Sequence, residues 1–252
     1  MSALVVAINA DGIIAACDGA CYQHETGAIS AFVSKIILLP EYGALIGWTG
    51  VGNFGPALRW EINQAISSFD DLVNRFEAVC KHIHGEMFGD NLGPMTEVSC
   101  VIAGWSEARR AYEGYRLVSY EKQSIGFSNE RSIAREPFKS VPLPAAIWSS
   151  FSPTKMDDFG LNPPAEDEET LDVAIRLVCA ARADSGWLKD KDGTGDNRLY
   201  MAGGFVQVAV LQQYHVQSWI AHRWPEDTVG HRVDPSKGAP LPPWLEMKNA
   251  SP

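Results

Sequence analysis

Short apolar runs separated by turn residues open the chain. Residues 3–8 (ALVVAI) and 13–17 (IIAAC) flank the polar stretch Asn9-Ala10-Asp11-Gly12, and two such runs joined through Asp-Gly predict a β-hairpin. A polar loop containing His24 and Gly27 follows. The runs VSKIILLP at 33–40 and ALIGWTG at 44–50, on either side of Glu41-Tyr42-Gly43, predict a second hairpin. From Asn53 the period lengthens. Phe54, Leu58, Ile62 and Ile66 recur at helical spacing, with Pro56 in the first turn, where a missing N–H costs nothing. Leu72, Phe76, Val79, Ile83 and Met87 form the stripe of a second helix, and Ser68 stands where a cap is needed, ahead of Asp71.

Strand patterns return at 97–104 (EVSCVIAG), 111–118 (AYEGYRLV) and 143–150 (LPAAIWSS), with a polar segment containing Pro137 before the last. Residues 168–182 (EETLDVAIRLVCAAR) predict a third helix, apolar nearly all round and so buried on more than one side. Closing strands are expected at 204–211 (GFVQVAVL) and 214–220 (YHVQSWI). Strands and helices are segregated along the chain, which indicates an α+β fold and not alternating βαβ units. Residues 1–220 read as one domain. Residues 221–252 are rich in Pro and Trp without a clear period, and read as an extension lying along that domain or reaching a neighbouring subunit.

Charge and cysteine content narrow the partners. A formal net charge of -10 argues against nucleic acid or an anionic membrane as partner, since both select basic faces. Cys17, Cys21, Cys80, Cys100 and Cys179 contain no CxxC pair and are odd in number, the pattern of reduced thiols in a cytoplasmic protein. No apolar stretch is long enough to span a bilayer. Ile14-Ala15-Ala16-Cys17 has the form of a lipobox, but no Lys or Arg precedes Lys35, and Asn9, Asp11 and Gly12 interrupt the apolar run a secretory leader requires. The mature chain is therefore expected to begin at Met1 or Ser2.

Three motifs invite other chemistry and are set aside. Gly50-Val51-Gly52-Asn53-Phe54-Gly55 fits GxGxxG between a strand and a helix, yet Asp70 and Asp71 open a second helix where a dinucleotide fold needs a second parallel strand closed by an acid. Asp190-Lys191-Asp192-Gly193-Thr194-Gly195-Asp196 copies the first half of a calcium loop. Its twelfth position is Met201 where a bidentate Glu is needed, so an acidic turn is the better reading, with a weak cation site as the alternative. His82 and His84 point to different faces of a helix, and no carboxylate or Cys completes a metal set.

A further constellation carries chemistry. The first hairpin ends in Asp18, Lys35 lies in VSKI, the strand ending WTGVG runs into two helices, and EVSCVIAGW follows. Taken together, this order over residues 2–210 resembles the proteasome β-type branch of the N-terminal-nucleophile hydrolases. The resemblance implies a four-layer αββα sandwich, two antiparallel sheets between helix layers. It implies a peptidase-like amide hydrolase acting without metal or organic cofactor, and a homo-oligomer, with a ring as one form. Its substrate would be a peptide or a small amide, and it leaves an ATPase partner open. Counting back from Asp18 sets the nucleophile on Ser2, where the family usually has Thr. Lys35 matches the family lysine and Gly50 the oxyanion glycine. Ser150, in Ser149-Ser150-Phe151-Ser152, is a weaker match to the family's further serine. Asp184, in Arg182-Ala183-Asp184-Ser185-Gly186, is displaced from the family's Arg-Asp pattern, which puts its role in doubt.

The chemistry is coherent without the family name. A serine hydroxyl is a poor nucleophile at neutral pH, and a free α-amine of pKa about 8 on the same residue can serve as its base. Lys35 beside it would favour the neutral amine and stabilise developing negative charge. Each residue alone also has an ordinary reading: Ser2 follows an initiator Met in many proteins, Asp18 could cap a turn, and Lys35 could be solvated. The rival reading is an inactive scaffold subunit of the same shape.

Overall fold

The structure, a computed structural model, describes residues 2–23, 25–93, 95–120, 136–151, 157–159, 161, 169–187, 198–200, 202–213 and 215–249. The first predicted hairpin forms from β1 (Leu4–Asn9) and β2 (Gly12–Asp18). Asn9 Oδ1 accepts the N–H groups of Asp11 and Gly12, both at 2.9 Å, so a short side chain closes the turn the sequence predicts. Next come β3 (Ala20–Tyr22) and β4 (Ile29–Phe32), which pair across the segment read from the sequence as a polar loop. Strands of three and four residues are too short for alternation to be seen. β5 (Ile36–Leu39) and β6 (Ala44–Gly50) make the second predicted hairpin.

α1 (Phe54–Ala65) and α2 (Phe69–Phe88) follow as predicted. Ser68 Oγ accepts the Asp71 N–H at 3.1 Å and caps α2. β7 (Val98–Ser106) and β8 (Ala111–Val118) match their predicted spans within two residues. The single strand predicted at 143–150 is instead split into β9 (Val141–Pro142) and β10 (Ile147–Ser149). Pro142 and Pro144 lack the N–H a continuous ladder needs. α3 (Thr170–Ala183) precedes β11 (Ser185–Trp187), β12 (Arg198–Tyr200), β13 (Phe205–Gln212) and β14 (His215–Arg223), and α4 (Pro243–Asn249) lies in the C-terminal segment.

The strands assemble into a five-stranded sheet β10-β1-β2-β13-β14, a second five-stranded sheet β5-β6-β7-β8-β9, and the two-stranded pairs β3-β4 and β11-β12. Among the described residues every pairing is antiparallel. One core cluster joins Leu4, Val6, Ile13 and Cys17 of the first large sheet to Ile36, Leu45 and Val101 of the second. A second gathers Phe54, Leu58, Phe76 and Ile83 from α1 and α2 onto Ile46, Trp48 and Ile102. In the third, Ala174, Ile175 and Val178 of α3 meet Val5, Ala16 and Val208, together with Trp224, Leu241 and Leu245 from beyond residue 220.

The expected four-layer αββα sandwich is corrected by this arrangement. What the described residues form is a mostly antiparallel β structure, divided among large and small sheets, with four unequal α-helices of 12, 20, 14 and 7 residues. Hydrophobic periodicity reports which face of an element is buried. It does not say how many sheets the strands divide into, because that depends on which distant strands pair. Among the described residues no helix is long and apolar enough to cross a membrane.

Candidate active site

Asp18 is the last residue of β2 and is fully buried, in register with Val206 of β13. Three backbone N–H groups converge on its carboxylate: Ala3 at 2.9 Å on Oδ1, and Ala20 at 3.2 Å and Gly203 at 3.3 Å on Oδ2. Lys35, 3% exposed, supplies the compensating charge. Its Nζ lies 2.9 Å from each Asp18 oxygen and 2.6 Å from the Ala20 carbonyl. This set satisfies a buried ion pair with several hydrogen bonds, the condition under which such a pair is tolerated. Its fourth partner is the hydroxyl of Ser2, with Lys35 Nζ 2.9 Å from Ser2 Oγ.

Ser2 is held from its other side. Ser150 Oγ donates to the Ser2 carbonyl at 3.0 Å and accepts the Leu4 N–H at 3.0 Å, while the Ser150 N–H donates to the Leu4 carbonyl at 2.8 Å. Ser150 therefore fixes the entry to β1 and not the hydroxyl itself. Gly50 ends β6 at φ +98°, where a Cβ would stand 2.1 Å from the Glu97 carbonyl oxygen, so only glycine fits. A Cβ on Gly52 would reach Cys21 Sγ at 3.5 Å. The loop after β6 thus lies against β3, the strand whose Ala20 carbonyl touches Lys35.

Asp184 has a different setting. It ends α3, its N–H donating to the Ala180 carbonyl at 3.2 Å. Arg182 forms its ion pair with Asp227, at 2.7 and 3.0 Å, and with Glu226 at 3.0 Å. Asp227 Oδ2 also accepts the Gly204 N–H at 2.7 Å, which steadies the turn whose Gly203 N–H reaches Asp18. Sequence reading missed Asp227, Gly203 and Gln207. The available signals were weak: Asp227 is one of several acids in a Pro-rich stretch, and Gln207 one polar residue inside the apolar run GFVQVAVL.

Thiol chemistry is disfavoured here. Burial pushes the Cys17 thiol up to about 12 and raises that of Cys21, with Lys35 opposing both shifts only in part. Both therefore stay protonated at neutral pH, and the hydroxyl of Ser2 is the group beside Lys35 that a local base could activate.

Two residues of the motifs set aside, Gly55 and His84, have packing roles. A Cβ on Gly55 would come within 2.3 Å of the Trp48 ring, so this glycine lets α1 rest on β6. His84 is buried, with Nε2 2.9 Å from the Thr96 carbonyl and its ring against Phe88 and Phe138, whereas His82 is exposed. Among the described residues no group of His, Cys, Asp and Glu could hold a metal ion. The acidic loop 190–196 lies outside the described residues.

No protein-family model matches the chain, and no curated protein matches it. Among solved structures, Anbu (ancestral beta-subunit) from Yersinia bercovieri aligns with 97% of this chain and 90% of its own, at a TM-score of 0.58 and 9% sequence identity. That likeness is one of fold. The resemblance drawn from the sequence to the proteasome β-type branch is accordingly corrected: no family model carries it, and what stands is a distant structural likeness to an ancestral beta-subunit. At 9% identity the likeness is one of fold alone, so motif order over 2–210 cannot establish membership.

Proposed function

We propose that the protein is an amide hydrolase whose nucleophile is the hydroxyl of Ser2, made N-terminal by removal of Met1. The observation that carries this reading is the Lys35 ammonium, shared between the Asp18 carboxylate and Ser2 Oγ at 2.9 Å each. A lysine donating into the serine oxygen leaves the hydroxyl hydrogen free to point elsewhere, and favours negative charge on that oxygen. The freed α-amine of Ser2 takes this proton as Oγ attacks the carbonyl carbon of the amide. The oxyanion of the tetrahedral intermediate meets the Gly50 N–H. The C–N bond then breaks, the leaving amine taking the proton held by the α-amine. Water, deprotonated by the same amine, attacks the Ser2 ester; the acid departs and Ser2 regains its hydroxyl. Asp18 holds Lys35 in place, and Ser150 holds the first strand. Substrates are peptides or small amides. Free thiols on all five cysteines support a reducing compartment such as the cytoplasm, and likeness to a beta-subunit supports assembly with copies of itself.

Mass spectrometry after exposure to an electrophilic acyl probe tests the reading. The wild-type chain should lack Met1 and carry one acyl adduct on Ser2, and Ser2→Ala should lose both adduct and amide hydrolysis while melting at the wild-type temperature. An uncleavable N-terminal tag should abolish labelling, because an amide nitrogen has no usable proton affinity at neutral pH. Turnover in Ser2→Ala would overturn the assignment. A folded, correctly trimmed wild-type chain that neither hydrolyses nor labels would favour a scaffold subunit instead.

A further inference from the structure

Gln207 is the third residue of β13, 7% exposed, in register with Cys17 and next to Val206, the partner of Asp18. Its side chain leaves the first large sheet and meets the start of the second. Oε1 accepts from the Lys35 N–H at 3.2 Å and from the Ile36 N–H at 3.3 Å, and lies 2.9 Å from Ser34 Oγ, whose one hydrogen also faces the Ile36 carbonyl at 2.8 Å, and 3.6 Å from Cys17 Sγ. Nε2 donates to the Ile36 carbonyl at 3.1 Å and to Ser218 Oγ at 3.0 Å. The amide cannot be reversed. The Lys35 and Ile36 N–H groups can only donate, and Ser218 Oγ spends its hydrogen on the Val208 carbonyl at 2.7 Å and so accepts, which together turn Oε1 toward residues 35–36.

On its other side the Lys35 carbonyl accepts the Trp48 N–H of β6 at 3.1 Å. The backbone of Lys35 is therefore gripped between the sheets, by Trp48 from one and Gln207 from the other. Asp18 ends β2 of the first sheet and Ser2 lies just before β1, Lys35 directly precedes β5 of the second, and the Gln207 amide bridges the two sheets beside them. We infer that Gln207 is a positioning residue that places the Lys35 ammonium against Asp18 and Ser2. It does so without touching substrate. The inference deepens the Ser2 mechanism and rests on it for its consequence in rate, but not for its consequence at Lys35.

The test uses the full chain and two readouts: solvent exchange of the Lys35 ammonium by nitrogen-15 NMR, and the rate of Ser2 acylation by an electrophilic acyl probe. Gln207→Met keeps the volume and removes the amide. Exchange at Lys35 should quicken at least tenfold. Acylation should slow by about 10–100-fold, the scale on which small misplacements act. In a Lys35→Ala background the same substitution should alter residual acylation by less than about twofold, since a residue acting only through Lys35 has nothing left to place; a merely structural role would slow both backgrounds alike. Unaltered Lys35 exchange in folded Gln207→Met would overturn the inference. Should that variant not fold, Ser218→Ala, which frees only the donor end of the amide, should move exchange in the same direction by a smaller factor, and no change would equally overturn it. A wild-type chain that is not acylated would defeat the Ser2 reading, while the Lys35 exchange rate would still decide the role of Gln207.

Discussion

Asp18 collects three backbone donors and one ammonium, and of these only the ammonium carries charge. Asp18→Asn leaves Lys35 buried with neutral acceptors alone, the Ala20 carbonyl and Ser2 Oγ. Breaking one side of a buried ion pair costs about 3–5 kcal/mol. Denaturant unfolding should therefore show a loss of that size, together with loss of Ser2 acylation. Ser2→Ala, at a half-buried chain start, should change stability by only about 0.5 kcal/mol. Equal stability of Asp18→Asn and wild type would mean that the pair does not hold Lys35. Ser2, Asp18 and Lys35 were named from their order along the chain, counting back from Asp18 to Ser2, and the structure brings the three side chains together at the Lys35 ammonium. Gln207 was not legible, since its partners at residues 34–36 are more than 170 residues away and a lone polar residue in a strand carries no distance information.

At the scale of elements, the first turn of α2 is tied to the β7–β8 turn through Asp70. Its carboxylate accepts Ser106 Oγ at 2.7 Å, the Ala108 N–H at 3.0 Å and Arg109 Nη2 at 3.0 Å. The Ser106 hydrogen bond, with help from Ala108 and Arg109, holds this carboxyl below its usual range. A carboxylate near a helix N-terminus is also favoured by the helix dipole. A depressed folded-state value adds stability above the unfolded value of about 3.9, and that stability disappears as pH falls through the folded value. Ser106→Ala should thus cost about 1 kcal/mol at pH 7 and progressively less below pH 4, read from urea midpoints across that range. A cost independent of pH would assign the effect to Ser106 packing. The stripes of α1 and α2 were readable because 12 and 20 residues sample several turns. The pair β3-β4 was not, because its strands gain their order from pairing with each other and from Ala20 and Ile29 packing under Val233.

Over the whole molecule, the segment after β14 contributes to the core that α3 covers. Leu245 is fully buried there, and its carbonyl lies 3.5 Å from Arg176 Nη2 of α3. Leu245→Ala should cost about 2–5 kcal/mol by loss of transfer energy and the cavity left behind. Calorimetry should show one lowered transition; an unchanged melting temperature would mean that the tail packs only locally. Proline spacing and the absence of a period made these residues read as an extension, since a short helix buried at one leucine leaves no repeating pattern.

Strand order also fixes when the site can exist. Ser2, Asp18 and Lys35 leave the ribosome first, but β1 pairs with β10 and β2 with β13, and the donor and clamp at Gly203 and Gln207 come last. At about 5–20 residues per second, roughly 10–40 s separate synthesis of Ser2 from that of Gln207. On the proposed mechanism the nascent chain through that interval carries a hydroxyl with no ordered lysine beside it, and cannot cleave an amide of its own or of a neighbour on the polysome. The same interval leaves Met1 open to aminopeptidase before the strand is hooked by Ser150. On the proposed mechanism, trimming precedes folding, and the last third of the chain acts as the safety catch on the first two residues.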